Sequence, residues 1–317
     1  MLPLLPPHPE GTVVTVGTFD GVHRGHLAVL EEITGRARAA GRKSVLVTFD
    51  PHPLEVVNPQ AAPALLTTGP ERREALALTG LDYAVFLRFD RSLANLTPER
   101  FVREVLIARC GMKELVIGHD HAFGRGRSGG VETLRRLGAS DGFVVDVVSV
   151  VAQGGHAISS TAIRRAVAGG DLATAARLLG RPYTLSGRVV RGEGRGRTLG
   201  IPTINLGEYP ERKLLPPDGV YAARVEWAGG MAGGMLNQGP KPTFGELRRS
   251  VEVHLFGVDA DLYGKWVRVE WLERLRDVER FGSAAELRTQ LERDRHRALD
   301  ALTRHGPQTD KSRASHA

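Results

Sequence analysis

From residue 12 to residue 179 the chain alternates short apolar runs with stretches of helical periodicity. From Tyr183 onward it changes to short strand-like runs cut by Gly and Pro. The first texture predicts a doubly wound α/β domain, a parallel sheet with helices on both faces. The second predicts an antiparallel barrel of the six-stranded type. Expected strands of the first half are 12–16, 44–49, 83–89, 114–117 and 143–151, and expected helices are 71–78, 98–109, 131–137 and 171–179. The second half should carry strands at 183–190, 219–227, 231–236, 251–256 and 266–272. Ala284, Leu287, Leu291, Ala298 and Leu302 share one side of a terminal helix packed on the barrel.

A length of 317 residues suits two domains, placed at 1–182 and 183–305 with a disordered polar tail at 306–317. The 41% hydrophobic and 25% charged fractions are those of an ordinary globular protein. No apolar run is long enough to span a bilayer, and the opening MLPLLPPHPE has no signal-peptide pattern, so a cytoplasmic location without a membrane partner is expected. The single cysteine, Cys110, excludes an intrachain disulfide and a cysteine-rich zinc site, and reads as a buried structural thiol. A net charge of +7 fits anionic ligands such as nucleotides. It would also fit nucleic acid, but RNA-binding aromatic signatures and zinc-finger spacings are missing, so no nucleic-acid partner is expected.

The first strand is followed by Gly17-Thr18-Phe19-Asp20-Gly21-Val22-His23-Arg24-Gly25-His26 and then by a helical apolar spacing at Leu27, Leu30, Ile33 and Ala37. A strand handing over to a helix offers free backbone N–H groups and the positive end of a dipole, which together attract phosphate. Gly17, Gly21 and Gly25 allow close approach of the backbone, and His23 and His26 can both donate to one anion. Read by spacing alone, the two histidines would equally suit a metal site or a solvated helix start. The turns Thr48 to Pro53 and Gly118 to Gly124 should open onto the same cleft, because ligands of parallel sheets bind at the carboxyl ends of the strands. His52 suits a turn and His119 and His121 a surface, while four converging histidines would suit a metal.

The string GTFDGVHRGH resembles the HxGH signature of nucleotidyltransferases and the start of the bacterial bifunctional riboflavin kinase/FAD synthetase family. In that family Asn is frequent where Thr18 stands. The flavin-side loop is matched here by Gly118-His119-Asp120-His121-Ala122-Phe123-Gly124, with His121 in place of an aromatic residue. The resemblance implies ATP binding by Gly17, Phe19, Asp20, Gly21, Gly25 and Asp120, and flavin binding by Phe123. Ile158-Ser159-Ser160-Thr161-Ala162-Ile163-Arg164 matches the family's ISSTxIR motif in full. Ser160 or Thr161 would make a good helix N-cap, and with Arg164 in the first turn the segment suits the β- and γ-phosphates that leave as pyrophosphate.

In the second half, Gly187 to Leu206 is a Gly/Arg-rich loop between strands, ended by Ile201-Pro202, and reads as a phosphate-binding flap. Thr203 and Asn205 can point to one side of an extended segment and offer oxygens to Mg²⁺. The segment resembles the riboflavin kinase motif ending in PTxN. That resemblance implies ATP binding by Gly187, Gly196, Arg197, Gly200 and Pro202, and metal contacts by Thr203 and Asn205. Pro217 to Tyr221, Asn237 to Phe244, Val251-Glu252-Val253-His254 and Asp261 to Gly264 follow in the family's order. The resemblance makes Glu252 the base for the ribityl 5′-hydroxyl and assigns Asn237 and Arg276 to flavin. Gln238 departs from a usual Ile, and Pro240-Lys241 from a usual x-Arg.

Together these features imply two ATP- and Mg²⁺-dependent steps: phosphorylation of riboflavin in the second domain, and adenylylation of FMN to FAD in the first. His23, His26, Arg164 and Glu252 are the expected catalytic residues. The competing readings are a nucleotidyltransferase for another phosphorylated acceptor, such as phosphopantetheine, and a flavin- or RNA-binding regulator with dormant sites. The first leaves PTIN and VEVH unexplained, and intact His23, His26, Asn205 and Glu252 argue against the second.

Overall fold

All five residues of β1 (Thr12–Val16) are buried, and the strand has a parallel neighbour on either side. The structure, a computed structural model, describes residues 4–118, 130–148, 152–153, 156–192, 196, 200–243 and 246–306. They form two compact units: one runs to Ala64 and resumes at Arg72–Ser160, and the other joins Leu65–Glu71 to the residues from Thr161 on.

In the first unit β1, β2 (Lys43–Asp50), β3 (Tyr83–Arg88), β4 (Met112–Gly118) and β5 (Val144–Val148) pair in parallel in the order β3-β2-β1-β4-β5. The chain moves outward from β1 to β3, then restarts on the other side of β1 with β4. The topological switch point therefore lies between β1 and β4. Alternate residues serve opposite faces. Val14, Val16, Val45, Val47, Leu115 and Ile117 share a core with Phe101, Val102, Leu106 and Leu134. Val13, Leu46 and Val116 share another with Leu30, Ile33 and Ala37 of α1 (Arg24–Ala39).

The remaining helices of this half are α2 (Pro53–Val57), α3 (Gly69–Ala77), α4 (Arg91–Ala94), α5 (Pro98–Phe101), α6 (Ala108–Cys110) and α7 (Val131–Asp141). Between α5 and α6 the backbone widens to a π-helix at Val102–Ile107, a local change of pitch that apolar spacing does not signal. β6 (Ala152–Gln153) and β7 (His156–Ala157) form a two-stranded sheet.

The second unit is a closed antiparallel barrel. Its strands are β8 (Tyr183–Val190), β9 (Ile204–Gly207), β10 (Gly219–Trp227), β11 (Gly230–Thr243), β12 (Glu246–Leu255) and β13 (Trp266–Arg276), in the order β10-β11-β12-β9-β8-β13. Tyr221, Ala223 and Val225 enter one core together with Ile163 and Val167 of α8 (Ser160–Ala168) and Leu172, Ala175 and Leu179 of α9 (Leu172–Leu179). The sequence reading places α8 and α9 with the first domain up to residue 182, whereas from Thr161 onward they are part of the barrel's own compact unit.

Val220 and Ala222, of opposite parity, lie under Ala298 and Ala301 of α10 (Ala284–His305). The expected apolar side of α10 is corrected at its start and in its middle: Ala284 is exposed, and Asp294 is buried together with Ala298 and Ala301. A buried ion pair binds Leu65–Glu71 into the second unit. Lys213 Nζ lies 2.8 Å from Glu71 Oε2 and 2.7 Å from the Leu66 carbonyl, and Ser186 N donates to Glu71 Oε1.

Candidate active sites

The glycine-punctuated turn sits at the carboxyl end of β1, beside the switch point. Phe19 and Val22 take positive φ values of 48° and 39°, a region costly for a residue with a side chain and most so for a β-branched one. Gly17 permits this course, since a Cβ there would stand 2.9 Å from the Phe19 ring. The ring stacks on His26 with centroids 4.4 Å apart, and His26 stacks on His23 at 3.6 Å with 14° between the planes. Gly25 is equally confined, because a Cβ would meet His23 Nδ1 at 3.2 Å and the Ile158 carbonyl at 3.3 Å.

His23 is the N-cap of α1: its Nδ1 accepts from the backbone N–H of His26 at 3.2 Å. Nδ1 therefore carries no proton, and the ring's donor is Nε2–H. No acidic residue occupies the first turn of α1, so the helix end keeps its positive character. His52 is also a cap. Its Nδ1 accepts from Leu54 N, and Glu55 reaches back to the His52 N–H in a capping box. This is the turn role its Pro neighbours suggest.

Ser160 is the first residue of α8, so it and Thr161 lie within the helix and do not cap it from outside. The Ser160 hydroxyl donates instead to the Asp20 carbonyl at 3.0 Å, joining the start of α8 to the β1 turn. Thr161 and the half-buried Arg164 follow on the same helix, in the second compact unit. Asp120, Phe123, His119 and His121 lie outside the described residues, as does Arg197 in the other half.

In the barrel, Asn205 on β9 is the register partner of Glu252 on β12, and Glu252 is the partner of Asn237 on β11. Directly paired residues point to the same face, so the three form one cross-strand row. Val251 and Val253 are buried, which sends that row to the outer face, where Glu252 and Asn205 are half-buried and Asn237 is exposed. Asn205 lies against Gly192, where a Cβ would be 2.3 Å from its Nδ2. Thr203, two residues before Asn205, is half-buried. His254, two residues beyond Glu252 on the same face, lies with Nδ1 2.8 Å from the Pro202 carbonyl and anchors the start of the PTIN segment.

Gly187 has a packing reason to be glycine, since a Cβ would meet the Gly207 carbonyl at 2.8 Å across the β8–β9 pair. Gly196 is confined by the Ile201 carbonyl, 2.3 Å from where its Cβ would be, and Gly200 adopts φ +75°. Gln238, at the departure from Ile, is fully buried, and its Nε2 donates to the Pro216 and Pro217 carbonyls. Arg276 is held by Asp294 of α10, with Nε 2.9 Å and Nη2 2.8 Å from Asp294 Oδ2.

Sequence reasoning missed three residues. Asp294 had a signal, a charge at an i+3/i+4 step of an apolar stripe (287, 291, 294, 298), and His254 stood within VEVH. Arg72, buried beneath the β1 turn, had none. Among the described residues no group of three or more His, Cys, Asp or Glu side chains is arranged to hold a metal ion. Burial pushes the Cys110 thiol up to about 11, so it is a packed thiol and not a nucleophile.

The FAD synthetase family matches residues 5–162 and the riboflavin kinase family residues 179–302. The bifunctional riboflavin kinase/FMN adenylyltransferase of Escherichia coli K12 is 41% identical over 286 residues, covering 90% of this chain and 91% of the relative. Its counterpart in Pseudomonas fluorescens is 37% identical over 304 residues (95% and 97%), and that of Bacillus subtilis 33% over 293 residues (91% and 92%). A crystal structure from Streptococcus pneumoniae, described as a macrolide-efflux protein, superposes with a TM-score of 0.83 at 33% identity, over 93% of this chain and 95% of that one. No helix among the described residues is long and apolar enough to cross a membrane. The chain belongs to the bifunctional riboflavin kinase/FMN adenylyltransferase family, with the FAD synthetase part first and the riboflavin kinase part second.

Proposed function

We propose that this chain phosphorylates riboflavin to FMN in residues 183–305 and adenylylates FMN to FAD in residues 1–182, at two independent sites. For the second step the supporting observation is the His23–His26 stack at the end of β1. The terminal phosphate oxygen of FMN attacks the α-phosphorus of ATP, and the bond to the bridging oxygen breaks to release pyrophosphate. His23 Nε2–H, His26 and the N–H groups at the start of α1 hold the charge that grows on the α-phosphate. Gly17, Phe19, Asp20, Gly21 and Gly25 shape the nucleotide seat. Ser160, Thr161 and Arg164 are assigned by motif to the leaving phosphates. Asp120 and Phe123 are assigned by motif to nucleotide and flavin.

For the first step the carrying observation is the Asn205–Glu252–Asn237 row. Glu252 accepts the proton of the ribityl 5′-hydroxyl as that oxygen attacks the γ-phosphorus of ATP and ADP departs. The Asn205 amide oxygen, beside Glu252 in the ladder and against Gly192, and the Thr203 hydroxyl two residues earlier are hard oxygen donors suited to Mg²⁺. Bound there, the ion would draw charge from the phosphate oxygens. Gly187 on β8, Gly196, Gly200 and Pro202 face the nucleotide, Arg197 is assigned to it by motif, and Asn237 and Arg276 meet the flavin. A transferase for another phosphorylated acceptor would leave this row without a use.

The test is incubation with riboflavin, labelled ATP and Mg²⁺, followed by separation of the flavins. FMN appears first and FAD after it, with ADP and pyrophosphate released in the respective steps. Absence of both products sinks the reading.

A further inference from the structure

Arg72 is 4% exposed, and its guanidinium spans two strand ends. Nη1 donates to the Thr18 carbonyl at 2.9 Å and Nη2 to the Phe49 carbonyl at 2.7 Å, while the Thr48 hydroxyl adds a bond of 3.1 Å to Thr18 O. Nε is buried without a hydrogen-bond partner. Asp50 and Asp20 act on it through space only, and Asp50 forms its ion pair with Arg73 instead. Burial pulls the Arg72 pKa below its ordinary value. A buried guanidinium hydrogen-bonded only to carbonyls, with the Phe86 ring 5.4 Å from its Cζ, is a poor stability device, since the charge is desolvated without a direct counter-charge.

The two carbonyls explain why it is there. Thr18 is the entry to the turn in which Phe19 and Val22 hold positive φ, and such backbone persists only where its surroundings fix it. Phe19 is the first ring of the stack that continues through His26 to His23. Phe49 lies at the carboxyl end of the neighbouring strand β2. A planar fork holds two donors at a fixed spacing that spans the two strand ends, whereas a lysine offers one nitrogen on a flexible stem.

We infer that Arg72 is a positioning residue for adenylyl transfer, bridging the ends of β1 and β2 so that the strained turn holds Phe19, His26 and His23 against the α-phosphate. This rests on the adenylyltransferase reading above.

The test compares Arg72→Lys and Arg72→Ala with the parent chain, measuring FAD formation from supplied FMN and FMN formation from riboflavin in the same preparations. Both variants are expected to lose FAD formation on the order of 10²-fold in kcat, with a smaller change in KM, because displacing a catalytic group by about 1 Å costs that much. Phosphorylation of riboflavin should stay near the parent rate, which also reports that the chain has folded. Millimolar guanidinium chloride should restore part of the Arg72→Ala activity, whereas sodium chloride at equal concentration should not. The inference is overturned if Arg72→Lys forms FAD within threefold of the parent, if both activities fall together, or if guanidinium gives no recovery. A parent chain that makes no FAD would instead overturn the adenylyltransferase reading itself.

Discussion

Asn205 on β9 stands directly opposite Glu252 on β12, so an amide oxygen and a carboxylate share one outer face of the barrel. The pairing brings two motifs 47 positions apart in the sequence onto one face, and a slip of one residue would send one of the pair into the core.

Replacing Glu252 by Gln keeps the size and removes the base. FMN formation should fall about 10²–10⁴-fold, the usual value of a positioned general base. Supplied FMN should still become FAD. Normal phosphorylation of riboflavin by this variant, followed by flavin separation, would take the role away from Glu252.

Gly25→Ala should disturb the first site sterically. The added methyl sits 3.2 Å from His23 Nδ1, so the ring must move or the helix start must shift. FAD formation should drop on the order of 10²-fold while thermal stability changes little. Unchanged FAD formation would mean that the His23 ring position is not critical.

Asp294→Ala should leave the Arg276 guanidinium buried without its carboxylate. The Asp294 side chain has 0% and that of Arg276 12% exposure, so the loss should be about 3–5 kcal/mol of unfolding free energy, read by denaturant titration. A second variant, Arg276→Ala with Asp294→Ala, should recover part of that loss. A single variant as stable as the parent would show that the pair does not secure α10.

Cys110 should resist thiol reagents in the folded chain. Its pKa, pushed up to about 11 by burial, lies above the ordinary value, so at pH 8 even less thiolate is present than in an exposed cysteine, and the group is also shielded. One thiol per chain should appear only on unfolding. Rapid modification at pH 8 with native spectra would contradict the burial.

The bounds of β1, β8 and β10 were legible because each is a run dense in buried apolar residues. β11 and β12 were read too short. Beyond Leu236 the hairpin carries Asn237, Gly239 and Pro240, and its length is set by ladder pairing out to Thr243 and Glu246, which apolar pattern does not record. The expected fifth strand began one residue too early, since β5 starts at Val144, and its expected last residues, 149–151, lie outside the described residues.

His23 and His26 announced themselves through the surrounding glycines, but that His23 caps α1 with its own ring follows only from the backbone course. Ser160 looked like a cap because hydroxyls gather at helix starts; the structure gives its hydroxyl to the Asp20 carbonyl, a partner 140 residues away in the chain. Arg72 and Lys213 were silent for a common reason. A buried cation carries no periodic signature, and its partners are carbonyls or a distant carboxylate.

The most direct test of the account is His26→Ala assayed for both reactions in one preparation. The account predicts that FAD formation falls about 10²–10³-fold, the range for losing one charge-stabilising donor, while FMN accumulates from riboflavin at the parent rate. FAD formation at the parent rate, or equal loss of both products in a folded chain, would contradict it.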